Sequence, residues 1–245
     1  MSRLTVIIPT FNEEHYIEGA LYSVKFADQI IVVDSFSTDK TAAIAKAHNC
    51  QVIERQFDNF SNQKNHALSY ATSEWVLFLD ADERITHALQ KEMENVMATG
   101  KHTAYKLHFP HFFMNRFMYH HHNDVTRLVK RDKCHFEGNV HEKLIVDGTT
   151  GKLKNKVLHY TYKGLEHNLK KKDHYAWFQA EQMQAKNKRT NYFLLVFKPS
   201  YRFFHEYIVK GGFLDGIPGL AVAGINAYGV FSRYAKLMLL QRGLK

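Results

Sequence analysis

This chain is poor in cysteine, poor in proline and without any uncharged stretch as long as a bilayer is thick. Its two cysteines, Cys50 and Cys134, lie far apart and neither has a metal-ligand neighbour, which argues against both a disulfide framework and a zinc site. They read as free thiols of a reducing compartment. The longest apolar run, Gly216 to Phe231, spans 16 residues and contains Pro218, whereas a membrane-crossing helix needs roughly 20. Met1-Ser2-Arg3 leads straight into the strand-like Leu4 to Pro9, without the long apolar region and cleavage site of a secretory leader, so a cytoplasmic protein is expected. No Gly-x-Gly-x-x-Gly follows the first apolar run and no Gly/Lys phosphate loop occurs. The usual dinucleotide and nucleoside-triphosphate routes are therefore disfavoured.

What is present is a globular composition, 45% hydrophobic and 13% aromatic over 245 residues, with charge unevenly placed. Residues 1–150 hold 16 Lys and Arg against 19 Asp and Glu, while residues 151–245 hold 17 against 5. The first part is mildly acidic and the second strongly basic, so the two have different partners. A basic segment suits nucleic acid, an anionic membrane surface or an acidic substrate, and composition does not choose among them.

The chain is organised around Trp75-Val76-Leu77-Phe78-Leu79-Asp80-Ala81-Asp82-Glu83-Arg84. Five apolar residues read as a buried strand that runs directly into acid. In an open α/β sheet ligands bind at that end of the strands. Asp80 and Asp82, two residues apart, share a side there if the extended geometry persists. Such hard oxygen donors suit Mg²⁺ or Mn²⁺, which complete their shell with water and phosphate; the competing reading is that Asp80 caps a helix and Asp82 is solvated.

Leu4 to Thr10 and Gln29 to Ser35 are further apolar strands, the second also delivering an acid, Asp34, to its end. Asn12 is expected to cap a helix carrying Ile17, Ala20, Leu21 and Val24, and Ser37-Thr38-Asp39 to cap another over Lys40 to His48. Gln51 to Arg55 reads as a third strand and Ser61 to Leu68 as a third helix. Alternation of this kind predicts right-handed crossovers and a parallel sheet, with Asp34 and Asp80 on one edge.

Taken together, Ile7-Ile8-Pro9-Thr10-Phe11-Asn12-Glu13-Glu14, Val32-Val33-Asp34-Ser35 with Ser37-Thr38-Asp39, Gln63-Lys64-Asn65 and Leu79-Asp80-Ala81-Asp82-Glu83 resemble the inverting family 2 glycosyltransferases of the GT-A fold. Within that family the nearest likeness is to the small bacterial lipopolysaccharide-core glucosyltransferases. The motifs occur in the family's order over about the first 150 residues and are specific as a set. The resemblance implies an α/β fold of GT-A type, a mostly parallel sheet flanked by helices, with a helical basic C-terminal extension. It implies a nucleotide-sugar and catalytic domain over 1–150 and a basic, aromatic membrane-associating or acceptor-side region over 151–245. It places a divalent cation, Mg²⁺ or Mn²⁺, on Asp80 and Asp82, the donor's base and ribose near Pro9, Thr10, Glu13 and Asp34, and the nucleotide near Lys64 and Ala81. The chemistry agrees, since carboxylates accept from a uracil N–H or ribose hydroxyls and Lys is a mobile charge for phosphate. Glu13 and Glu14 equally suit the start of a helix.

Thr103 to Phe109 and Arg127 to Arg131 read as strands joined by a polar loop, Phe112 to Asp124. His120, His121 and His122 stand there in a row. Consecutive residues point in different directions, so a surface loop over the acceptor fits better than a metal site. Beyond it lies Val140-His141-Glu142, a segment found at the catalytic centre of the related enzymes. By that likeness Glu142 is the general base, with His141 lining the site and Asp124 in reserve. Single displacement at an anomeric carbon needs one carboxylate at the acceptor hydroxyl and a stabilised leaving diphosphate. The competing reading pairs Glu142 with Lys143 or a nearby Arg.

From about Lys163 the pattern becomes helical, first Leu165 to Lys188 and then Tyr192 to Lys210, with aromatic side chains among Lys and Arg. Together with Gly216 to Phe231 this reads as a peripheral attachment lying in the headgroup layer. Packing on the sheet or a homo-oligomer interface is the alternative, and no nucleic-acid motif accompanies the charge. The sequence thus points to a metal-dependent transferase moving a hexose, glucose by the nearest resemblance, from a UDP-sugar to a glycolipid or oligosaccharide acceptor at the cytoplasmic face of the inner membrane. A sugar nucleotidyltransferase and a non-catalytic membrane-surface binding protein are the other readings.

Overall fold

The computed structural model describes residues 3–114, 116–138, 142–160 and 165–244, the side chains of residues 111, 119–122, 167 and 171 excepted. The chain divides into two compact units. One comprises Met1–Phe109 with Asn123–Tyr160, and the other Pro110–His122 with Thr161–Lys245.

The first unit is built on the apolar runs read from the sequence. β1 (Leu4–Thr10), β2 (Gln29–Asp34), β3 (Gln51–Glu54) and β4 (Trp75–Phe78) lie parallel in the order β3-β2-β1-β4. α1 (Ile17–Ser23), α2 (Thr41–Ala47) and α3 (Phe60–Leu68) make the crossovers. After β5 (Glu83–Ile85) and α4 (His87–Thr99), the chain adds the hairpin β6 (Ala104–Phe113) and β7 (Arg116–Lys130), then β10 (Thr150–His159). These complete an eight-stranded sheet, β3-β2-β1-β4-β7-β6-β10-β5, with β7 antiparallel to β4 and β6 parallel to β10. β8 (Cys134–Glu137) and β9 (Lys143–Val146) form a separate antiparallel pair. This is the α/β, mostly parallel sheet flanked by helices that the sequence predicts.

Period-two alternation gives the sheet two apolar faces. Leu4, Val6 and Ile8 of β1 pack with Leu21 of α1 and Leu89 and Met93 of α4, while Ile7, Val76, Phe78 and Val129 pack with Ala67 of α3. Trp75, Leu77 and Leu79 belong to the first face, so the strand leading into Asp80 is buried throughout.

Three local expectations need correction. Asn12 does not cap α1: it sits at φ 55°, its amide donating to Ser37 Oγ (2.9 Å) and its Oδ1 accepting from Thr38 N–H (2.8 Å), and the helix begins at Ile17. Asn is among the few residues that adopt this left-handed conformation readily, which lets it bind two loops together. Phe112 to Asp124 is not a polar loop, because β6 and β7 carry through it with only two residues between them. The His-rich run obscured the alternation. The expected boundary at 150/151 falls at the start of β10, a strand of the sheet, so the first unit runs on to Tyr160.

The second unit contains α5 (Leu165–Ala185), α6 (Tyr192–Phe204) and α7 (Ile217–Gln241), with a π-helical turn over His205–Val209 and a 3₁₀ turn over Gly212–Asp215. Ala176 and Ala180 of α5 and Ala223 and Leu237 of α7 are buried. Asp173 accepts from Lys236 Nζ (2.6 Å) and Ser232 Oγ (2.9 Å), joining α5 to α7. Gly219 is required because the carbonyl of Gly212 occupies the space a Cβ would fill. The uncharged run from Gly216 to Phe231 thus lies largely within α7, with Pro218 in its first turn, where a proline's missing N–H costs nothing. Among the described residues no helix is long and apolar enough to cross a membrane.

A polar side chain fixes the β8–β9 pair onto the first unit. Asn65 of α3 donates from Nδ2 to the Phe136 carbonyl and accepts the Phe136 N–H at Oδ1, both at 2.8 Å, as a neighbouring strand would. Phe136 itself packs edge-on against Phe78, with centroids 4.7 Å apart. Asn65→Ala is expected to lower the unfolding free energy in urea by about 2 kcal/mol, because both Phe136 backbone groups lose their partner. Asn65→Asp, which keeps the acceptor but turns a carboxylate oxygen toward the Phe136 carbonyl, should not restore the loss.

Candidate functional site

The buried strand β4 ends in a closed turn. Asp80 N–H donates to Glu83 Oε2 (2.8 Å) and Glu83 N–H donates to the Asp80 carbonyl (3.0 Å). β7, antiparallel to β4 with Leu128 opposite Leu77, brings Arg127 to this turn. Its Nη2 donates to Asp80 Oδ2 (2.7 Å) and Glu83 Oε1 (3.1 Å). One guanidinium thus serves two carboxylates in unequal surroundings. Burial disfavours the charge of Asp80, but Arg127 and then Lys64 outweigh it and hold the carboxyl at about 2. Burial pushes Glu83, only 1% exposed, up to about 7; Arg127 opposes this and Asp80 adds to it. Asp80 is therefore the fixed anion of the pair, and its side chain remains 40% exposed.

Asp82 faces His159 of β10, with Nε2 3.3 Å from Oδ1, and its carbonyl accepts from Tyr160 N–H (3.0 Å). Burial opposes the imidazolium of His159, but the hydrogen bond to Asp82 and the charges of Asp82, Glu83 and Asp80 overcome it and raise the pKa. Arg84 ties the turn to α1, donating to the carbonyls of Ala81 (2.8 Å), Glu83 (2.8 Å) and Tyr16 (2.5 Å). Its guanidinium lies over Gly19, where a Cβ would collide with it.

The ends of β1 and β2 form the adjoining wall. Thr10 Oγ1 (3.2 Å), Ser37 N–H (2.8 Å) and Ser37 Oγ (2.5 Å) all donate to the carboxylate of Asp34, which is 1% exposed. Asp34 therefore lies behind the wall and shapes it. Asp39, one residue ahead of the N-cap of α2, accepts from Thr41 N–H (2.9 Å), and Thr41 Oγ1 in turn accepts from Glu13 N–H (2.8 Å).

α3 closes the opposite side with a row of three polar residues. Gln63 accepts from Arg55 (2.8 Å) and donates to Ser35 (3.1 Å), Lys64 donates to Glu142 Oε1 (2.7 Å), and Asn65 holds β8. Lys64 is 4% exposed. The second carboxylate oxygen of Glu142 is buried without a partner among the described residues.

These walls enclose a cavity of about 700 Å³ beyond the carboxyl ends of the parallel strands. Pro9, Thr10, Phe11 and Glu13 line it from the end of β1, and Asp80, Ala81 and Asp82 from the end of β4. Lys64 and Gln63 of α3, Glu142, and the aromatic pair Phe57 and Phe60 (centroids 4.9 Å apart) complete it with Ser35 and Gln56. Pro9, Thr10, Glu13, Lys64, Asp80, Ala81, Asp82 and Glu142 of the sequence-derived set are thereby brought together. Asp34 is not at the surface of the cavity. Asp124 pairs with His108 (3.0 Å) and Lys152 (2.6 Å) and is not among the lining residues. His141 lies outside the described residues, as do the side chains of His120, His121 and His122.

Sequence reading missed Arg127, Glu83, His159 and the Phe57–Phe60 pair. The only signal for Arg127 was a cation opening an apolar strand, and for Glu83 the third acid after Asp80 and Asp82. Among the described residues no group of three or more His, Cys, Asp or Glu could by itself hold a metal ion. Two carboxylates on one wall do fit a cation that draws the rest of its ligands from phosphate and water. Asp80 suits this on charge, and its Oδ1, 3.5 Å from Arg127, keeps donor capacity.

Residues 5–165 match the model of glycosyl transferase family 2, and the chain belongs to that family. An uncharacterized glycosyltransferase of Rickettsia felis is 30% identical over 97% of this chain and 90% of its own length. The lipopolysaccharide core biosynthesis glycosyltransferase LpsC of Rhizobium meliloti is 25% identical over 95% of this chain and 93% of its own. Glucosyl-3-phosphoglycerate synthase of Mycobacterium tuberculosis, solved with Mn²⁺, UDP and glucosyl-3-phosphoglycerate, aligns over 44% of each chain at 24% identity and a TM-score of 0.39. The protein is a glycosyltransferase.

Removing the shared cation tests the electrostatics of the turn. Arg127→Met leaves Glu83 buried beside Asp80 without compensation and is expected to cost about 3 kcal/mol in unfolding free energy. Glu83→Gln in the same chain should restore part of that loss, a coupling readable from a double-mutant cycle in urea.

Proposed function

We propose that this family 2 glycosyltransferase moves a hexose, glucose in our reading, from a UDP-sugar to a lipopolysaccharide-core or other lipid-linked glycan, with inversion at the anomeric carbon. The observation that carries this reading is the convergence of Asp80, Asp82, Lys64 and Glu142 on one cavity beyond the ends of β1, β2 and β4. Acid and cation line a volume there suited to a sugar nucleotide, and Glu142 among them has one carboxylate oxygen without a partner among the described residues.

The apolar wall of Phe11, Phe57 and Phe60 offers a surface on which a base can lie, and Glu13 and Gln56 supply groups that can read its edge. Thr10 and Ser35, braced by Asp34 and Gln63, border the ribose. Asp80 and Asp82 are the residues that would hold Mg²⁺ or Mn²⁺, which when bound supplies positive charge to the leaving diphosphate. Lys64 adds a charge of this chain's own beside the same phosphates.

Glu142 is assigned the proton transfer. Its free oxygen accepts the proton of the acceptor hydroxyl as the hydroxyl oxygen bonds to the anomeric carbon, on the face opposite the departing UDP. The bond to the diphosphate breaks in the same displacement and its electron pair leaves with the nucleotide. Lys64 holds the other carboxylate oxygen at 2.7 Å and so fixes the direction of the free one. With a nucleotide-sugar donor and a lipid-linked acceptor, we assign the reaction to the cytoplasmic face of the inner membrane.

Calorimetric titration with UDP, with and without Mn²⁺ and against ADP and GDP, should give selective, metal-dependent UDP binding. The absence of nucleotide binding under every condition would overturn the reading. Asp82→Ala should remove the Mn²⁺-dependent part of the UDP affinity; an unchanged Mn²⁺ response takes Asp82 out of the cation site. Glu142→Gln should lower kcat by roughly 10²–10⁴ while leaving UDP affinity within a few fold, and near-normal turnover would eliminate it as the base.

A further inference from the structure

α6 has no buried residue, although it is among the most apolar segments of the chain. Tyr192, Phe193, Val196, Phe197, Tyr201 and Phe204 are all more than 45% exposed, with Phe193 at 67% and Val196 at 64%. Their spacing puts Phe193, Phe197 and Tyr201 one turn apart. The rings stack along the helix, with centroids 5.2 and 6.2 Å apart and planes within 20°. The exposed apolar surface continues past the helix through Ile208, Val209, Phe213 and Leu214 to Ile217, the last 72% exposed. A contiguous patch of this kind marks an interaction surface.

Charge decides what it meets. Residues 186–217 carry Lys186, Lys188, Arg189, Lys198, Arg202 and Lys210 against two acids, Glu206 and Asp215, both buried. Glu206 is buried and accounted for by Arg202 (3.0 Å) and Lys210 (3.1 Å). Two copies related by a twofold axis would bring like charge onto like charge, which disfavours self-association through this face. An anionic lipid surface satisfies both features, rings entering the acyl boundary and ammonium groups meeting phosphates. α6 is 13 residues, about 20 Å long, too short to cross a bilayer but suited to lie along one. Behind it, a cavity of about 410 Å³ is lined by Lys172, Arg202 and Arg233 with no carboxylate, and Arg233 Nε is buried there without a hydrogen-bond partner among the described residues.

We propose that the face running from Tyr192 to Leu214, rather than the uncharged run at the start of α7, seats this protein on an anionic phospholipid surface. α7 turns Ala223, Ser232, Lys236 and Leu237 inward and is held to α5 by Asp173, so it is committed to packing.

The test is sedimentation of the full chain with phosphatidylcholine vesicles, with and without about 30% phosphatidylglycerol, at 0.1 M salt. The wild type should bind the anionic vesicles preferentially. Phe193→Ala/Phe197→Ala/Tyr201→Ala, which touches only exposed rings, should lower that binding at least about tenfold with unchanged helicity by circular dichroism. Lys186→Ser/Lys188→Ser/Lys198→Ser should remove the preference for phosphatidylglycerol, and Phe231→Ser in α7 should leave binding intact. No vesicle binding by the wild type, or undiminished binding by the aromatic variant, would overturn the proposal. So would loss of a dimer on size exclusion with vesicle binding unaltered, which would make a second copy the occupant. UDP titration of the same variants reads the sugar-nucleotide site separately, so failure of one assignment is distinguishable from failure of the other.

Discussion

A single guanidinium holds the centre of this protein. Arg127 reaches from β7 to the turn after β4 and bonds both Asp80 and Glu83. A buried strand that ends in acid is unstable in isolation, because carboxylates in a low-dielectric setting repel one another and resist ionisation. One cation between unequal partners resolves this by dividing their roles. The more open carboxylate stays ionised and the enclosed one bears the raised pKa. In the mixed sheet it is β7, running antiparallel beside β4 with Leu128 opposite Leu77, that delivers residue 127 to that end.

The site is completed by α3, whose polar residues do different jobs in consecutive positions. Gln63 braces the β2 loop, Lys64 engages Glu142 and Asn65 imitates a strand for Phe136. Three successive helical residues fan over about 200°, so one short helix can reach three separate segments. The motif is thus explained by geometry as much as by chemistry: it is the joint at which the β2 loop and the β8–β9 pair meet within one unit.

Much of this was legible in the sequence. The four parallel strands declared themselves as apolar runs, and Asp80 and Asp82 were legible because strand, acid and sheet edge are all local facts. Arg127 and Glu83 were not, since Arg127 lies 47 positions from Asp80 and 44 from Glu83 and their meeting depends on a strand order no local pattern encodes. Asp34 was read as a group facing the ligand, yet its carboxylate is consumed by Thr10 and Ser37. Asn12 was read as a cap because Asn caps helices, but the same side chain tolerates positive φ. The β6–β7 hairpin was hidden by histidines whose polarity resembles a loop, and the exposed face of α6 was hidden because aromatic content alone does not say which rings are covered.

The division of the chain has a consequence for its modularity. Pro110–His122, the far end of the β6–β7 hairpin, belongs to the helical unit, while both strands are rooted in the sheet. Residues 110–122 thus group with the helices, although the strands that carry them belong to the sheet. A fragment ending at Tyr160 would carry a hairpin tip deprived of its packing, and a fragment beginning at Thr161 would lack 13 residues of its own unit. The helical unit is in this sense not an accessory appended to a finished enzyme. Exchanging the helical unit for that of another enzyme therefore means carrying residues 110–122 along with it.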